Sequence, residues 1–65
     1  MINVNRKLKA ARVEIGLTQR QLAELIKMPF STYQKKEQGH TQFTIKEASE
    51  IAIVLNKKPS EIFFN

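Results

Sequence analysis

A chain of 65 residues, 42% apolar and 26% charged, supports one small domain over residues 1–65, which at this size buries only about 60% of its unfolded surface. It has no cysteine, no Asp, a single histidine (His40) and no Gly-rich phosphate loop, so disulfide staples, cysteine zinc sites and the usual catalytic or nucleotide constellations are excluded. The net charge of +5 falls entirely in residues 1–40, where eight Lys and Arg accompany three Glu, and such a basic half favours a polyanion partner.

The apolar spacing predicts an all-α chain with helices at about 4–15, 19–26, 30–38, 45–55 and 59–64. In the first, Val4, Leu8, Ala11 and Ile15 form one stripe with Arg12 at its edge, and Gly16 supplies the left-handed residue that ends it. Thr18 and Gln21 have the spacing of a capping box, opening a second helix with Leu22, Ala23 and Ile26 inward. Pro29 restricts the residue before it and stops that helix near Lys27 and Met28. The third helix runs from Phe30 to Gln38 and ends at Gly39, with His40 to Phe43 in a loop. Thr44 and Glu47 form another capping box, and Ile45, Ala48, Ile51, Ala52 and Leu55 make the fourth stripe. Asn56 ends that helix, and Pro59 suits the first turn of a short fifth one. The longest apolar run has five residues, 51–55, where a membrane span needs about 20. Residues 1–4 lack the apolar core of a signal peptide, so a cytoplasmic location is expected.

Arg12-Val13-Glu14-Ile15-Gly16-Leu17-Thr18-Gln19-Arg20-Gln21-Leu22-Ala23 resembles the opening of the Cro and repressor type of helix-turn-helix domain. The resemblance continues through Ser31-Thr32-Tyr33-Gln34-Lys35-Lys36-Glu37-Gln38-Gly39 and resumes at Ile51-Ala52, Leu55 and Glu61-Ile62-Phe63. It covers about residues 4–63 and implies a compact five-helix bundle, a lambda-repressor-like domain that binds double-stranded DNA and regulates transcription, acting as a repressor. It also implies that the second helix crosses the DNA backbone while the third enters the major groove. On a helical wheel Phe30, Ser31, Gln34, Lys35 and Gln38 fall within about 140°. Gln, Lys and Ser suit base edges, and Phe30 either packs on a thymine methyl or acts as a staple fixing the turn.

The resemblance places Gln19 at a phosphate, where a helix start also offers free N–H groups. Lys9, Arg20, His40, Thr41 and Gln42 are further phosphate candidates, with His40 read as a loop residue beside phosphate rather than a switch. It further implies an ion pair between Arg12 and Glu37 that joins the first and third helices, with Arg12 also near a phosphate. Three departures from the family pattern stand out. Lys27 occupies a position usually held by Gly, and Lys36 one usually apolar, its stem over the core and its charge in water. Pro29 replaces a usual Ser or Thr cap, so the third helix has a possible later start at Ser31, whose Ser-x-x-Gln spacing offers another capping box.

Family members usually act as homodimers, and the leftover apolar residues Ile53 and Phe64 are the candidate dimer contacts, with core closure the other reading of Phe64. Val13 faces away from its stripe. No cofactor, metal or membrane partner is expected, and no enzyme activity. Two rivals remain: an antitoxin or accessory DNA-binding protein, and a protein-interaction module that never touches DNA. Salt titration separates the last, because a DNA binder loses affinity steeply as counterions compete.

Overall fold

The computed structural model describes residues 5–63 as five helices: α1 (Arg6–Glu14), α2 (Gln19–Leu25), α3 (Phe30–Glu37), α4 (Ile45–Leu55) and α5 (Pro59–Ile62). Their order and number match the sequence expectation, and their ends differ from it by a residue or two. Val4 and Phe64 lie outside the described residues.

Local chemistry sets most of the boundaries. Asn5 caps α1, its side chain accepting from the Leu8 N–H at 3.3 Å. Both expected capping boxes form: Thr18 and Gln21 exchange bonds of 3.0 and 2.9 Å, and Thr44 and Glu47 bonds of 3.1 and 2.9 Å. Gly16 turns the chain out of α1 at φ +81, and Asn56 ends α4 at φ 56. Lys27 adopts the left-handed conformation, φ 58, that its position demands although it carries a side chain. The third helix starts at Phe30 with Pro29 as its uncapped N-cap, so the later start at Ser31 is not used.

The core gathers Leu8, Ala11, Leu22, Ala23, Tyr33, Ile51, Ala52, Leu55 and Ile62 from all five helices. Phe43, from the loop before α4, seals it by packing between Tyr33 and Phe63 with ring centroids 5.9 and 5.4 Å apart. Two residues expected on inner stripes are exposed. Ile15 lies on the α1 stripe by angle, yet it is the residue at which the helix ends, and it is 46% exposed. Ile45 sits about 70° from the centre of the α4 stripe and in that helix's first turn, and it is 86% exposed.

Candidate nucleic-acid interface

The rigid centre of the site is a buried carboxylate. Glu37, in the last turn of α3, accepts from Arg12 Nε at 2.9 Å and Nη2 at 3.1 Å, from Gln19 Nε2 at 2.8 Å and from the Tyr33 hydroxyl. A third Arg12 donor, Nη1, reaches the Leu17 carbonyl at 2.7 Å and pins the loop between α1 and α2. The expected Arg12–Glu37 pair is therefore present, and it is bidentate. Burial alone would raise the pKa of Glu37, but the bonds from Arg12, Tyr33 and Gln19 outweigh it and hold the carboxyl below its ordinary value. The carboxylate in turn raises the Arg12 pKa against the effect of burial. Tyr33 is raised by burial first and by Glu37 second, so its hydroxyl stays a donor.

Sequence reasoning missed two members of this cluster. Tyr33 stands one turn before Glu37 on α3, a spacing that brings side chains together and was the available signal. Gln19 spends its amide N–H on Glu37 and receives a long 3.4 Å bond from Gln34 Nε2. The residue expected at phosphate thus also braces α3 from behind.

The five candidate base-facing residues of α3 differ in exposure. Ser31, Lys35 and Gln38 are exposed, Phe30 and Gln34 are half-buried, and Tyr33 and Glu37 are buried behind them. Three of the proposed phosphate contacts, Lys9, Arg12 and Gln19, line one shallow open concavity with Leu17 and Thr18. Arg12 is only 6% exposed there, with three of its N–H groups already engaged. His40, Thr41 and Gln42 stand exposed in the loop after α3 and are not part of that concavity's lining. Arg20 lies elsewhere again: its guanidinium rests over the Phe30 ring, 4.2 Å from the centroid.

Lys36 corrects an expectation. Its ammonium is not left in water but donates to Glu47 at 2.6 Å and stands 6.0 Å from the Phe43 ring centroid. The pair ties the back of α3 to the capping box of α4, because Glu47 Oε1 accepts from both Lys36 and the Thr44 N–H. Burial opposes ionisation of Glu47, and Lys36 and Thr44 overcome it, leaving its pKa lowered.

Residues 8–62 match the family model described as Helix-turn-helix, which takes in every core residue given above. The chain belongs to the helix-turn-helix family. The fold is similar to that of the restriction-modification controller protein C.AhdI from Aeromonas hydrophila, at 27% identity and a TM-score of 0.83, over 92% of this chain and 91% of that one. No curated protein matches the sequence. This helix-turn-helix protein is a sequence-specific DNA-binding transcriptional regulator of the Cro/C1 type. In its motif α2 and α3 pack on each other, and the Gln19–Glu37 bond spans them. Among the described residues, none of the helices is long and apolar enough to cross a membrane, and no cluster of His, Asp or Glu fits a metal ion.

Proposed function

We propose that the chain acts in the cytoplasm as a repressor that holds an operator through two copies of itself, working by binding rather than by catalysis. In each copy α3 enters the major groove, with Phe30, Ser31, Gln34, Lys35 and Gln38 toward base edges. Lys9, Arg12, Gln19, Arg20, His40, Thr41 and Gln42 lie toward phosphates and fix orientation more than sequence. One observation carries this reading: Ser31, Lys35 and Gln38 stand exposed on α3, while the opposite face of that helix is anchored through Glu37 to α1 and α2. A reading head gains specificity when its helix is held rigid before it meets the base edges.

The Cα trace measures 28 × 25 × 21 Å. Two recognition helices must lie about 34–36 Å apart to enter successive major grooves on one duplex face, a separation smaller than twice any of these dimensions, so it fits within two such bodies side by side. Ile53, 77% exposed on α4, and Phe64, outside the described residues, are the apolar side chains offered to the second copy. The similarity to a restriction-modification controller supports a role as a small operator-bound switch of transcription. Selection of bound duplexes from a random library tests the whole reading. A two-fold-symmetric enriched site is expected, and no enrichment would overturn it.

A further inference from the structure

We infer that Arg20 reads a base: held against Phe30, it brings its guanidinium to a guanine at the edge of the half-site instead of to a phosphate. This rests on the DNA-binding reading and changes the role of one residue within it. Arg20 is the second residue of α2 and Phe30 the first of α3, and their side chains meet across the turn with the guanidinium carbon 4.2 Å from the ring centroid. That is inside the range of about 6 Å over which a cation is drawn to an aromatic face. Nothing else claims the group. Among the described residues the ion pairs engage Arg12, Lys36 and Lys57, and no carboxylate pairs with Arg20.

A residue on α2 left to itself would swing over the DNA backbone. Stacking moves Arg20 to the start of α3, and in this motif the N-terminal residues of the recognition helix are the ones that meet base edges. A planar guanidinium can stack on a ring by its flat face, which leaves its N–H edge free. Two parallel N–H groups match guanine O6 and N7, the commonest specific contact in the major groove. A side chain already held on a ring also has fewer rotamers to lose on binding. Phosphate recognition needs none of this arrangement, since a mobile ammonium serves it as well. Phe30 thereby has a role of its own, as the platform that aims Arg20, whether or not its ring also touches a thymine methyl.

The test compares motifs selected from random duplexes by the wild-type chain, Arg20→Lys and Phe30→Leu. Lysine keeps the charge and loses the fork, while leucine keeps an apolar side chain and loses the aromatic face. The wild type should enrich a guanine at one position, and both variants should lose that preference by about tenfold or more with the other positions kept. Arg20→Lys should bind a scrambled duplex within about twofold of the wild type. Equal loss on selected and scrambled duplexes would make Arg20 a phosphate contact and overturn the proposal. Retention of the guanine by Phe30→Leu would overturn it as well. A wild-type chain that enriches no motif would instead sink the DNA-binding reading, and this proposal with it.

Discussion

Methionine at Arg12 and at Glu37 separates what their ion pair contributes from what breaking it costs. Glu37 is 2% exposed and takes 2.9 and 3.1 Å bonds from Arg12 besides those from Gln19 and Tyr33. In Glu37→Met the guanidinium keeps only the Leu17 carbonyl in a site 6% exposed. In Arg12→Met the carboxylate keeps only two neutral donors, Gln19 and Tyr33. Removing one member of a buried pair costs about 3–5 kcal/mol. A domain of 65 residues holds only about 3–10 kcal/mol in all, at about 0.05–0.15 kcal/mol per residue. Each single variant should therefore melt at least about 12 °C lower, at about 4–8 °C per kcal/mol, or fail to fold. The double variant loses both charges together and should escape much of the sum. The expected coupling is about 2 kcal/mol, against a scatter of about 0.3–0.5 kcal/mol for independent sites. Urea unfolding at low temperature, followed by circular dichroism with the slope checked for constancy, measures it. Additive single effects would refute the argument that the two charges compensate each other in the folded chain.

Lys27→Gly relieves a side chain held at φ 58 and should raise the urea midpoint by the equivalent of up to about 1 kcal/mol, with a lower midpoint counting against strain there. Glu37 and Glu47 both have pKa values lowered below the ordinary 4.5, so the unfolded chain binds more protons in acid. Their contribution is present above that value and disappears as pH falls through the lowered ones. The urea midpoint should thus hold level from about pH 7 to 5 and drop below that, and a level midpoint down to about pH 3 would contradict the assignment. For the dimer, Ile53→Ser and Phe64→Ala should weaken cooperative occupation of a full operator while a single half-site binds as before. Equal loss on both DNAs, with a lower melting temperature for Phe64→Ala, would assign that residue to core closure instead.

The features readable in advance are those settled within one turn of chain. Thr18 and Thr44 each have their partner three residues on, so both boxes were visible as spacing. Asn56 and Gly16 end helices for reasons of backbone geometry that no neighbour alters. Arg12 with Glu37, 25 residues apart, was reachable only through resemblance, because nothing local says which helices cross there. The same limit hid the Lys36–Glu47 pair and the Arg20–Phe30 stack, which depend on how α3 leans on α4 and α2. Ile15 and Ile45 fall outside the core because each sits at an end of its helix, where a position on the wheel does not ensure a packing partner. Pro29 left the start of α3 open, and the helix begins at Phe30 without a side-chain cap.

The central claim is that the polar face of α3 reads base sequence, and the exposed Lys35 is its one charged member. Affinities of the wild type, Lys35→Ala and Gln34→Ala for the selected duplex and for a scrambled one, measured at matched salt, test it directly. Each variant should lose about 1–3 kcal/mol on the selected duplex and much less on the scrambled one, so that the ratio between them shrinks. Loss of the same size on both duplexes would mean that these side chains hold the backbone and that sequence is read elsewhere.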